Sequence, residues 1–197
     1  ICSMQKEEKR FQIQVLDVGQ GDGIYIESDA GTEIFVDGGS VDVSEVGKYR
    51  IRPFLKSHGV REVDYWFVSH CDADHCNGLM ELLETDYPIK HLVFSKYVLK
   101  DEAQEELAAL AKQKGCQVLY MEEGECFRDT SIRIQAIYPS EKSVEGERNA
   151  DSLVLLLEHG NFHGLLSGDI GSEQEKKLIE TYGEVCDSRN IDWYKAA

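Results

Sequence analysis

The run His70-Cys71-Asp72-Ala73-Asp74-His75 packs two imidazoles and two carboxylates into six residues. Asp72 and Asp74 repel each other when ionised, and a bound cation offsets that repulsion. The run follows Val63-Asp-Tyr-Trp-Phe-Val68, a mostly apolar stretch of strand length that delivers His70 just past its C-terminal end. Downstream, Leu165-Leu-Ser-Gly-Asp169 places a further carboxylate at the end of another apolar strand, behind a glycine. A polar turn with incidental histidines would account for the first run but not for the second. The chemistry these residue types support is binding of one or two divalent ions and hydrolysis of an ester-type bond by metal-activated water. Cys71 lies inside the run and Cys76 directly after it, and a thiolate is a competent ligand, but imidazoles and carboxylates already fill the expected places.

The elements that must position these groups read as follows. Phe11–Leu16 alternates as a strand into the Gly-rich turn Asp17-Val-Gly-Gln-Gly-Asp-Gly23; strands Ile24–Ile26 and Thr32–Asp37 follow, the latter closed by Gly38-Gly39. Val46–His58 fits a helix interrupted by Pro53, and Cys76–Glu84 reads as a helix. Next come a strand at Ile89–Phe94 and a helix over Glu102–Lys114, stopped by Gly115. Strands are expected at Gln117–Tyr120, Ile132–Tyr138, Leu153–Leu157 and Gly164–Ser167, and a last helix at Glu173–Thr181 with Ser172 as its N-cap. Pro139–Asp151 reads as a mobile loop ending beside the site. With no sustained βαβα alternation, the expected α/β architecture is a four-layer αββα sandwich.

The 197 residues suit one domain, 1–197. No run approaches the length needed to cross a bilayer, so no membrane contact by this segment is expected. Compartment, cytoplasmic or extracellular, and oligomeric state stay open. The six cysteines form no C-x-x-C pair and read as reduced thiols. A net charge of −16 argues against broad, sequence-independent nucleic-acid binding. Lys48, Arg50, Arg52 and Lys56 form a local basic cluster, read as a solvated helix face. His58, His91, His159 and His163 read as surface or loop residues, the last two flanking a hairpin turn at Gly160-Asn161.

His70-x-Asp72-x-Asp74-His75-x-x-Gly78 with Ser167-Gly168-Asp169 resembles the metallo-β-lactamase superfamily, and Leu16-Asp17-Val-Gly-Gln-Gly-Asp22 is similar to its ComEC-type branch, which includes the soluble domain of the competence DNA-uptake channel. Val36-Asp37-Gly-Gly39 and Asn149-Ala-Asp-Ser152-Leu-Val-Leu155 fall in the family's order, so the resemblance runs from about residue 11 to the end. It implies that His70 and Asp72 serve a first metal, Asp74 and His75 a second, and that Asp169 bridges both. Asp74 is also the candidate to take the proton of the attacking water. Asp22 and Asp37 are candidates to orient the imidazoles, with turn-forming carboxylates as the alternative.

This sequence departs from the pattern at three places. Asp72 stands where most of the superfamily has His. Around 148–152 there is no His, which leaves Asn149 or Asp151 as candidates for an additional oxygen ligand. In the resembled branch a segment like Asp192–Ala197 runs into a His-His-Gly-Ser-like motif carrying a last ligand, so the expectation is a fold lacking its C-terminal part and a second site short of a ligand. The resemblance implies a metal-dependent hydrolase of phosphodiesters, nuclease-like, with DNA as the candidate substrate and zinc or manganese as the ion; the oxygen-rich set points to manganese in turnover. Hydrolysis of a carboxylic ester, lactone or β-lactam uses the same activated water, and a non-catalytic binding module of this fold is the rival from another class.

Overall fold

The computed structural model describes residues 9–196, without the side chains of 184–189; Cys2 and the Cys186 thiol lie outside that description. Six strands form one sheet in sequence order: β1 (Gln12–Val15), β2 (Ile24–Glu27), β3 (Glu33–Val36), β4 (Val63–Phe67), β5 (Ile89–Ser95) and β6 (Gln117–Met121). β1 to β3 pair antiparallel across tight turns. β3 to β6 are parallel, and each crossover carries a helix: a π-helical turn (Gly47–Ile51) running into α1 (Arg52–Ser57), then α2 (Ala73–Glu84), then α3 (Glu102–Gln113). Three successive crossovers correct the expectation of no sustained alternation. The first was obscured by Pro53, which sits in the opening turn of α1, where an N–H has no intrahelical partner to lose.

The second sheet has the order β11-β10-β9-β8-β7, with β7 (Cys126–Arg128), β8 (Ile132–Tyr138), β9 (Val154–His159), β10 (Phe162–Leu166) and β11 (Trp193–Lys195). β7 to β10 are antiparallel; β11 returns parallel to β10 after α4 (Ser172–Arg189). The strands β7 and β11, three residues each, are too short to show alternation and were not expected from the sequence. Helix α4 runs past the expected Thr181, and its N-cap is Gly171 rather than Ser172.

Alternation within strands sorts the core into layers. Ile24, Ile26, Ile34, Val36 and Phe67 meet Ile134, Leu155, Leu157 and Leu166 between the sheets. The opposite faces, Tyr25, Phe35 and Trp66, pack against Leu55, Leu79 and Leu82 of the helices. Val154 and Leu156 face outward onto Leu178 of α4. The central strands of both sheets are therefore covered on both faces, giving helix, sheet, sheet, helix: the expected αββα sandwich.

Candidate metal centre

In an open parallel sheet, ligand sites gather at the C-terminal ends of the strands. Here β3 leads into Asp37, its neighbour β4 leads into Ser69 and His70, and β10 of the other sheet leads into Asp169. Asp37 adopts φ 58°, unusual for a residue with a side chain, and this turn sets its carboxylate under the β4 loop. There Oδ1 accepts the Ser69 N–H at 2.7 Å and Oδ2 accepts the Ser69 hydroxyl at 2.8 Å. Helix α2 starts at Ala73, three residues earlier than expected, because its first turn is polar and carries no apolar period. Asp74 and His75 are consequently helical residues. The first turn of α2 lies directly on Gly39, where a Cβ would stand 2.5 Å from Ala73 O and His75 N, so only glycine permits the approach.

The buried rings of His70 and His75 lie 4.1 Å apart, centre to centre. His75 Nδ1 faces Asp37 Oδ2 at 3.1 Å and Asp22 Oδ2 at 3.6 Å, while its Nε2 faces Asp169 Oδ2 at 3.3 Å. His70 Nδ1 lies 3.0 Å from Ser69 Oγ and 3.3 Å from Ser152 Oγ. Its Nε2 is buried with no hydrogen-bond partner, although Asp72 Oδ2 is 3.5 Å away. Donor atoms of His70, His75 and Asp169 all lie within 4.8 Å of one another, as do those of Asp22, Asp37 and His75. A buried nitrogen without a partner is costly unless something uses its lone pair. Two imidazoles and one carboxylate with donor atoms this close together fit a divalent cation.

The electrostatics of the cluster call for positive charge at this point. Burial alone would lower the His75 pKa, but the charge of Asp37 and hydrogen bonds to Asp169 and Asp37 outweigh it and raise it to about 10. The hydrogen bond from His75 holds Asp169 down at about 2. Burial works against ionisation of Asp37, yet the His75 charge and the bonds from His75 and Ser69 bring its pKa below the usual carboxylate value. Burial, then the neighbouring His75, lowers His70. Burial and Asp37 raise Asp22, against an opposing ion pair with Lys195.

Of the residues singled out in the sequence, the fold brings His70, His75 and Asp169 together and sets Asp22 and Asp37 behind His75. Asp72 is the N-cap of α2 but caps nothing; Oδ1 instead accepts Arg148 Nη1 at 2.6 Å. Asp74 lies on the first turn, where its charge complements the helix dipole, and its carbonyl accepts the Asp22 N–H at 3.1 Å. Neither Asp72 nor Asp74 belongs to either donor cluster. Asn149 is exposed. Asp151 is buried and directed into its own loop, accepting the N–H groups of Glu145, Gly146 and Glu147 at 2.8, 2.6 and 3.2 Å. That loop reaches the site, as expected, but is tied down by Asp151 and by Arg148, which also binds Asp101. Cys71 and Cys76 pack in the helix-side core, where burial raises both thiol pKa values, that of Cys76 to about 12.

Sequence reasoning passed over Ser69, Ser152, Arg148 and Lys195. The Lys195 ammonium pairs with Asp22 and stands 3.6 Å from Asp169 Oδ1. Ser152 and Lys195 lay within segments that the resemblance had already picked out, while Arg148 meets Asp72 across 76 residues of chain.

No family model matches the chain. It is 24% identical over 187 residues to ComE operon protein 3 of Bacillus subtilis (strain 168), an alignment covering 88% of this chain and 24% of that protein. It is 25% identical over 176 residues to Competence protein ComA of Neisseria gonorrhoeae, with 89% and 22% covered. The chain spans about a quarter of the length of these curated relatives. Among solved structures, a metallo-β-lactamase from Staphylococcus aureus aligns with TM-score 0.54 at 15% identity, covering 93% of this chain and 53% of that one. Zn²⁺-bound PqqB from Methylobacterium extorquens gives 0.54 at 11%, covering 79% and 56%. CmlA, a diiron β-hydroxylase from Streptomyces venezuelae, gives 0.54 at 17%, covering 91% and 33%. At these identities the likeness is one of fold.

Proposed function

Since the chain is a metallo-β-lactamase-fold domain of the ComEC type, we propose that it is a metal-dependent hydrolase whose centre is held by His70, His75 and Asp169. The observation that carries this reading is the convergence of donor atoms of His70, His75 and Asp169 within 4.8 Å of one another, beside a buried His70 Nε2 that has no hydrogen-bond partner. A divalent ion at these donors supplies Lewis acidity, lowering the pKa of water and stabilising negative charge on the oxygens of the reacting ester. Asp37 takes the Nδ1 proton of His75 in a hydrogen bond and so directs Nε2 into the site. Asp169 Oδ2 lies 3.3 Å from His75 Nε2, and its side chain is more exposed than those of Asp22 and Asp37. Lys195 brings a positive charge to the same rim, placed to attract an anionic substrate. Asp72 and Asp74 are proposed to join as oxygen ligands, Asp72 only after exchanging its bond to Arg148; Asp74 remains the candidate proton acceptor.

The substrate we propose is a phosphodiester, with DNA as the candidate. The relatives bearing competence names support this reading, and Lys195 and Arg148 place cations locally on an otherwise acidic chain. Zinc and manganese are both candidates. Two imidazoles to one carboxylate is a more nitrogen-rich set than the sequence suggested, which moves the balance toward zinc unless Asp72 and Asp74 contribute. The Arg148–Asp72 ion pair favours a second reading, a binding module of the same fold with an incomplete site. Assaying a nuclease substrate and a chromogenic lactam side by side, with each ion added to the natural full-length protein, tests the function. Ion-dependent cleavage of the nucleic acid that Asp169→Asn abolishes is the expected result. Turnover of the lactam alone would replace the substrate, and turnover of neither would favour the module.

A further inference from the structure

The hydrogen-bond partners around His70 fix where its proton lies. Asp37 is an ionised carboxylate and can only accept, so the Ser69 hydroxyl at 2.8 Å must donate to it. A hydroxyl has one proton; with it committed to Asp37, Ser69 Oγ has only lone pairs to offer His70 Nδ1 at 3.0 Å. Contact at that distance is favourable only if His70 carries its proton on Nδ1. Ser152 Oγ, 3.3 Å from the same nitrogen, accepts the Asp169 N–H and has Arg148 O as an acceptor for its own proton, so it can take a share of the Nδ1 proton. An independent feature maintains this arrangement. Gly168 has φ +56°, and a Cβ there would lie 2.9 Å from both Ser69 Cβ and Ser152 Cβ. Leu153 N also bonds Ser69 O at 2.8 Å, tying the two serine segments together.

We propose that Ser69, assisted by Ser152, is a positioning residue: the two hydroxyls hold His70 as its Nδ1–H tautomer and leave Nε2 as a bare lone pair, free to bind a cation. Asp37 then orients both histidines, His75 by direct contact and His70 through the Ser69 hydroxyl. The inference deepens the metal-centre reading but is testable without a metal. Long-range ¹⁵N–¹H correlation spectra of the imidazoles, recorded on the metal-free chain at a pH of about 8, where an ordinary imidazole is neutral, report the tautomer directly. The wild type is expected in the Nδ1–H form. Ser69→Ala should shift His70 toward the Nε2–H form and weaken Zn²⁺ binding about 10- to 100-fold, as loss of such supporting partners does. Ser69→Thr, which keeps the hydroxyl, should retain both wild-type properties. An Nε2–H tautomer in the wild type, or a Ser69→Ala spectrum identical to wild type, overturns the proposal. The expected tautomers in a chain that binds no Zn²⁺ would support the serine cradle and overturn the metal-centre reading.

Discussion

Replacing Gly39 with alanine tests how tightly the site depends on backbone packing. A Cβ at this position meets Ala73 O and His75 N at 2.5 Å, and Asp74 C closer still, whereas ordinary contact begins at 3.4 Å. All of these are backbone atoms of the first turn of α2, so no side chain can rotate away and the turn itself must retreat by about 1 Å. Forcing excess volume into a packed interior costs about 1–3 kcal/mol. Because the retreating turn carries His75, the same displacement spoils the donor set, and a misplacement of about 1 Å can cost on the order of 100-fold in turnover. Gly115→Ala provides the control. That glycine has φ +83° with nothing within 4 Å of its would-be Cβ, so its substitution carries only the left-handed backbone cost of about 1–2 kcal/mol. Urea unfolding and calorimetric Zn²⁺ titration of both variants separate strain from site geometry. Gly39→Ala should lose stability and zinc affinity together, and Gly115→Ala stability alone. Wild-type zinc affinity in a folded Gly39→Ala chain would refute the argument.

Three further outcomes follow from the same structure. Asp129 accepts bonds from Ser28, Thr32, Ser131 and Ile132; against a burial effect that raises it, these hold its pKa at about 2. Because the folded pKa lies below the unfolded one, the stability it contributes is present above a pH of about 4 and lost as the pH falls toward about 2; acid titration of unfolding free energy should show that loss in the wild type and less of it in Asp129→Asn. Asp151→Ala leaves three loop N–H groups without their buried acceptor and should cost about 2–3 kcal/mol in urea unfolding, with amide exchange in 145–147 rising sharply. Mass-spectrometric mapping of iodoacetamide labelling near neutral pH should find Cys126, lowered by its Arg128 neighbour, modified well before Cys71 and Cys76; early labelling of those two would mean that the helix-side core is open.

What could be read in the sequence and what could not divide along physical lines. His70, His75 and Asp169 were legible because dense ligand chemistry directly follows apolar strands, and strand alternation is a local signal that predicted the two sheets. The start of α2 was not, because its first turn, Ala73 to Cys76, is polar and carries no apolar period, and the bond from Arg148 that holds Asp72 comes from the far side of the fold. Arg148, Ser152 and Lys195 act through partners far away in the chain, which no window of sequence reveals. Asp151, a candidate ligand by composition, serves its own loop instead, since its nearest donors are backbone N–H groups.

Calorimetric titration of Zn²⁺ and Mn²⁺ into the metal-free chain, wild type against Asp169→Asn, tests the central claim most directly. Asn preserves the shape of Asp169 and removes the charge opposite His75 Nε2. Stoichiometric binding is expected in the wild type and an affinity at least about tenfold weaker in the variant, with the same fold by circular dichroism. Equal affinities in the two chains, or no binding of either ion by the wild type, would contradict a metal centre at His70, His75 and Asp169.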